Sequence, residues 1–298
     1  MKRTYKLGAT CVVTALMLCI PVQAFAKNPT RPQPAEIKGA VPYIYKSIDG
    51  AELRLHVVNP PGHRSSDTQP AIVFFSGGGW THGTVEQFVP HAIHLAQRGM
   101  VAIVADYRVF DRYKTTPFDA MADAKSAIRW LRSHAKELGI DPQRIAAAGG
   151  SAGGHIALSA ALFDNFDDPK ENKKISSKPN ALVLFNPAID TSYERNKALF
   201  GDRGLEASPI HHIKAMLPPM VIFHGKADKV IPSAEVEKFC AEARHLSDKC
   251  ELFGYDNASH GFFTPRRKHG EWYRETLVEM DRFLASIGFL PASQPKLL

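Results

Sequence analysis

The sequence predicts an α/β fold, a mostly parallel central sheet with helices on both faces, and three observations lead to it. Short apolar or β-rich runs recur between stretches whose apolar residues keep helical spacing. Those runs are apolar on both sides of the strand, as in sheets covered on both faces. A glycine-rich turn at residues 149–154 joins one run directly to an Ala-rich helical segment.

In chain order, Val41 to Lys46 and Leu53 to Val58 alternate around Asp49-Gly50, a turn pair suited to a hairpin and hence to an antiparallel sheet edge. Ala71 to Phe75, Val101 to Ala105, Ile145 to Ala148, Ala181 to Phe185, Val221 to His224 and Glu251 to Tyr255 follow as buried strands. Between them Phe88 to Arg98, Ala120 to Leu138, Ala152 to Leu162 and Ser233 to Leu246 read as helices, with Ala124, Ile128 and Leu131 on one face. A last helix spans Glu271 to Ile287. In such a doubly wound sheet the functional loops lie at the carboxyl ends of the strands.

The first 26 of the 298 residues have the parts of a secretory signal. Lys2, Arg3 and Lys6 are followed by an apolar run from Leu7 to Val22 and by Ala24-Phe25-Ala26, a small-residue cleavage site. The run is too short and wrongly flanked for a membrane span. Residues 27–40 are Pro-rich and read as an extended arm, which leaves 41–298 as one catalytic domain exported to the periplasm or the medium. The formal charge is +7, of which three cations lie in the leader. The remaining excess is scattered, with no basic stripe interleaved with aromatics that would suit nucleic acid. Removing the leader leaves Cys240 and Cys250, and an even count in an oxidising compartment predicts a disulfide, the alternative being two buried thiols.

The chemistry concentrates at the glycine-rich turn. G-x-S-x-G falls on Gly149, Ser151 and Gly153, where a serine on a strained strand-to-helix turn needs small neighbours. Serine needs a base. Among 13 histidines, His260 stands just beyond the last strand and before the last helix, where a catalytic loop belongs. Asp228, a few residues after the Val221 strand, is the orienting acid in the chain order Ser, Asp, His, with Asp256 as rival. Gly77-Gly78-Gly79 ends another strand, and backbone N–H groups of Gly78, Gly79 and Ala152 make a candidate oxyanion hole. Trp80 and Phe262 are candidates for the substrate pocket or for core. Asp106 and Arg108 read as a buried ion pair bracing the sheet end, and His155 as a helix residue beneath the serine turn. His211 and His212 are adjacent, which is not a metal-ligand spacing on one helix face, and no phosphate loop or nicotinamide fingerprint is present, so neither metal nor cofactor is implied.

These residues together resemble the α/β-hydrolase superfamily, within it the esterase and acetyl esterase group related to hormone-sensitive lipase. The likeness runs through Gly77-Gly78-Gly79-Trp80, Asp106-Tyr107-Arg108, Asp123 with Trp130, Gly139 to Pro142, the serine turn, Asp228 and His260. It departs at Ser76, where that group usually has histidine, and ahead of the first strand, where 27–40 are too few for a large cap. The resemblance, closest to exported bacterial acetyl or acetylxylan esterases, implies a serine carboxylic-ester hydrolase acting through an acyl-enzyme on short acyl groups, possibly of carbohydrates. Its rivals are a peptidase related to the prolyl oligopeptidases and a non-catalytic binding protein on the same fold.

Overall fold

The computed structural model describes residues 32–292 except 49, 247 and 248, so the leader and Asp49 of the hairpin turn lie outside the described residues. The eight strands are β1 (Val41–Ile48), β2 (Ala51–Val58), β3 (Gln69–Phe75), β4 (Val101–Ala105), β5 (Ile140–Gly150), β6 (Ala181–Phe185), β7 (Met220–Gly225) and β8 (Cys250–Tyr255). The helices are α1 (Val89–Gln97), α2 (Phe110–Tyr113), α3 (Pro117–Ser133), α4 (Ala152–Leu162), α5 (Lys197–Phe200), α6 (Ser233–His245) and α7 (Glu271–Ser286).

The strands lie in the order β1-β2-β4-β3-β5-β6-β7-β8. β1 and β2 are antiparallel to each other and β2 to β4, and every later pair is parallel. This is the predicted α/β-hydrolase architecture. Strands β3, β4, β6 and β7 and the second half of β5 are almost wholly buried because apolar clusters cover both faces: Ile103, Ile145, Leu184 and Ile222 point to one, Phe74, Val104, Val183 and Phe223 to the other. Side-chain alternation along each strand supplies both faces at once, so the central strands read as unbroken apolar runs.

Two elements differ most from expectation. β5 begins at Ile140 rather than Ile145, because Gln69 pairs with Ile140 before the register shifts to Ala71 and Ile145. α3 starts earlier, at Pro117, under a capping box made by Thr116 and Asp119, and ends at Ser133. Residues 134–139 continue only as turns, closed by Gly139 at φ +60. Cys240 on α6 and Cys250 at the head of β8 are joined in a disulfide with Cα atoms 5.6 Å apart. No described helix is long and apolar enough to cross a membrane.

Candidate active site

Strand β5 and helix α4 meet at a single residue, Ser151, whose φ of 52 and ψ of −120 lie outside the ordinary regions for an L residue. The turn is held from three sides. Ser151 N–H donates to the Phe185 carbonyl (2.9 Å), and its carbonyl accepts from His155 N–H (3.0 Å) and Ala188 N–H (3.1 Å). Such over-determination is what keeps a strained residue in place. The flanking glycines are steric requirements: a methyl on Gly149 would collide with the Gly153 carbonyl, and one on Gly153 with the Phe75 carbonyl.

His260 Nε2 lies 3.0 Å from Ser151 Oγ, and its Nδ1 lies 2.7 Å from Asp228 Oδ2. A carboxylate can only accept, so Nδ1–H donates to Asp228 and Nε2 is left to accept from the serine hydroxyl. Burial works to raise the Asp228 carboxyl, but the hydrogen bond from His260 and the backbone N–H groups of Ile231 and Val230 outweigh it, holding the group below the ordinary carboxylate range. Those two N–H groups reach Oδ1 at 3.0 and 2.8 Å. Asp256, the rival acid, is exposed and pairs with Lys226 at 2.9 Å.

The loop after β3 packs against the serine turn; a Cβ on Gly77 would stand 3.3 Å from that of Ser151. Gly77 N–H is taken by Gln87 Oε1 at 2.6 Å. The N–H groups of Gly78, Gly79 and Ala152 donate to no acceptor among the described residues. Ala152, next in the chain to Ser151, is the first residue of α4 and carries the positive end of its dipole. Gly78 accommodates φ +136, and a methyl there would collide with the His82 carbonyl.

Several expectations are corrected. Phe262 is fully buried among Tyr255, Phe263 and Trp272, so it builds core and not a pocket wall. Trp80 is 6% exposed; its indole packs edge-on against His155 and Phe200, and its N–H donates to His155 Nδ1 at 3.3 Å, so it fastens the glycine loop to α4. Asp106 and Arg108 do not brace each other. Arg108 holds Asp123 through two side-chain bonds of 2.8 and 2.9 Å, whereas Asp106 pairs with Arg112 at 3.2 Å.

Sequence reasoning missed Asn186. It is 1% exposed with φ +35, its Oδ1 accepts from Gly261 N–H at 3.2 Å, and its Nδ2 stands 3.5 Å from His260 Nε2. An Asn-Pro pair directly after a buried strand was the one available signal.

The BD-FAE family model matches residues 55–242, well over half of the chain. The chain belongs to the BD-FAE family. Its relatives place it among the α/β-hydrolases of the esterase group related to hormone-sensitive lipase. It is 28% identical over 264 residues to the probable carboxylic ester hydrolase LipM of Mycobacterium tuberculosis, covering 80% of this chain and 59% of that protein. It is 29% identical over 248 residues to the probable isoprenylcysteine alpha-carbonyl methylesterase ICMEL1 of Arabidopsis thaliana, covering 74% of this chain and 51% of the other. The BD-FAE chain thus spans half to three-fifths of the length of such curated relatives. Among solved structures, apo esterase 2 of Thermogutta terrifontis is similar with a TM-score of 0.85 and 44% identity, over 87% of this chain and 98% of that one. That enzyme has also been solved phosphorylated by paraoxon and with propionate or butyrate bound.

Proposed function

We propose that this protein is a serine carboxylic-ester hydrolase that works through an acyl-enzyme on short-chain, acetyl-type esters, including those of carbohydrates. The observation that carries this reading is the row Asp228, His260, Ser151 with bonds of 2.7 and 3.0 Å, at a turn against which the glycine loop packs. His260 Nε2 takes the hydroxyl proton as Ser151 Oγ bonds to the ester carbonyl carbon. Gly78, Gly79 and Ala152 receive the negative charge that develops on the carbonyl oxygen. Collapse breaks the bond to the alcohol oxygen, which leaves with the proton held on Nε2. Water then attacks the acyl-enzyme by the same route, releasing the acid and restoring Ser151. Asp228 keeps the imidazole in the required tautomer and stabilises the transient imidazolium.

The preference for short acyl groups is supported by the propionate and butyrate complexes of the similar Thermogutta terrifontis enzyme. The carbohydrate alcohol is supported by the resemblance to exported acetylxylan esterases. Export through the leader at residues 1–26 belongs to the same proposal, and the Cys240–Cys250 bridge supports it, since disulfides persist in oxidising compartments.

The test is a chain-length series of p-nitrophenyl esters alongside acetylated xylan and a Pro-containing peptide amide. Acetate to butyrate esters are expected to give the highest kcat/KM, Ser151→Ala to reduce kcat by about 10⁴-fold or more, and paraoxon to label Ser151 stoichiometrically. Faster cleavage of the amide, wild-type turnover in S151A, or no labelling of the folded protein would each overturn the reading.

A further inference from the structure

The glycine loop that presents Gly78 and Gly79 has no regular secondary structure to hold it, yet both of its ends are fixed. At the entry, Tyr107 Oη–H donates to the Ser76 carbonyl at 2.6 Å. At the exit, Arg112 Nη1 donates to the Gly83 carbonyl at 2.8 Å. Gly83, at φ +124, lies so close to the start of the loop that a methyl there would collide with the Gly77 carbonyl. The exit clamp therefore also bears on the residues next to the two donors.

What orients Arg112 is Asp106, whose Oδ1 accepts from Arg112 Nη2 at 3.2 Å and from Tyr107 N–H at 2.8 Å. The third donor to that oxygen comes from outside the sheet. Gln33 Nε2, in the arm before β1, donates to Asp106 Oδ1 at 2.7 Å and reaches the Gly83 carbonyl at 3.4 Å. Its Oε1 accepts from Val85 N–H at 3.1 Å, just past the loop. One side chain thus ties the carboxylate, the loop exit and the following turn together, across sequence separations of 50 to 73 residues.

We infer that Gln33 is a positioning residue for the oxyanion hole: the N-terminal arm straps the glycine loop through the Gln33–Asp106–Arg112 cluster. The inference rests on the esterase reading above. Its consequence is kinetic, because donors aimed at a developing oxyanion act in the transition state more than on bound ester.

The test uses the full chain with Gln33→Met, which keeps the length of the side chain and removes both hydrogen-bonding ends, and Arg112→Met as a second variant. Paraoxon titration counts functional sites, so rates refer to folded enzyme. In Q33M, kcat per site for p-nitrophenyl acetate is expected to fall about tenfold with KM within about twofold, a partial loss against the 10²–10³ of removing one donor. The inhibition constant of a phenylboronic acid, which forms a tetrahedral adduct on serine, is expected to rise by the same factor. A buttress that matters only for stability would lower the melting temperature and leave both per-site values at wild type, and that result overturns the inference. A wild-type protein without esterase activity would instead overturn the esterase reading, and this inference with it.

Discussion

Asn186 combines a backbone angle unfavourable to most residues with a carboxamide that has no freedom to flip. Gly261 N–H can only donate, so Oδ1 must face it, and Nδ2 is thereby turned toward His260. Replacing Asn186 by Ala leaves that N–H unsatisfied and unties the loop that carries the base. Steady-state kinetics of N186A are expected to show kcat reduced about tenfold with KM nearly unchanged, in keeping with about 1–3 kcal/mol for an orphaned buried donor. A larger effect belongs to Asp228. Asp228→Asn keeps the shape but can present an N–H to Nδ1, favouring the tautomer in which Nε2 carries the proton and cannot accept one. Its kcat is expected to fall about 10⁴-fold with the protein still folded by circular dichroism.

At the scale of elements, loops and helices are set by close approaches that only particular residues allow. The serine turn works because Gly149 and Gly153 let β5, α4 and the end of β3 come into contact, and the glycine loop works because Gly78 takes φ +136. A Gly78→Ala enzyme is expected to lose about 10²–10³ in kcat, since the strain moves a donor that one motif places. The disulfide acts on a different pair of elements. It closes a segment with a sequence separation of 10 between α6 and β8, away from the serine turn. Denaturant unfolding of the Cys240→Ser/Cys250→Ser variant is expected to show a loss of about 2–3 kcal/mol, with kcat on p-nitrophenyl acetate unchanged.

For the whole molecule, buried histidines dominate the response to acid. Burial pushes His155 down to about 4 against the opposing hydrogen bond to the Ala207 carbonyl, and burial beside His94 pushes His91 down to about 3. Both are neutral when folded, while the unfolded chain protonates them below the ordinary imidazole value of 6.5. Between there and pH 4 the unfolded state binds two more protons, so stability is lost as pH falls. Asp106, pushed up to about 6 by burial against the pull of Arg112, has the opposite sign, because folded protein keeps a proton there that the unfolded chain has released. The net slope is expected to build to about 1.4 kcal/mol per pH unit by pH 6, one proton net of the Asp106 term, and to hold near that value down to about pH 5. Guanidinium unfolding midpoints at pH 7.5, 6 and 5 measure it, and midpoints that rise on acidification would contradict the assignment of neutral buried histidines.

Local sequence was sufficient for the chain order of the eight strands and the five longer helices and for the strained turn that bears Ser151, and it singled out His260 and Asp228, which the fold brings into a row with that serine. Each rests on periodicity, on small-residue spacing or on chain order, which are properties of a few neighbouring residues. The alternative acid Asp256 was rejected on its position alone, and the structure leaves it paired at the surface. Three-dimensional packing decided the rest. Trp80 and Phe262 became core rather than pocket, Arg108 and Asp106 found separate partners, and Asn186 and Gln33 entered the site from strands and arms far away in the chain. The physical reason is the crossover order of the sheet. β3 lies between β4 and β5, so the end of β4 abuts the glycine loop and the serine turn abuts its other side. Which side chains converge there depends on strand order and register, and no pattern confined to a short stretch of residues encodes either.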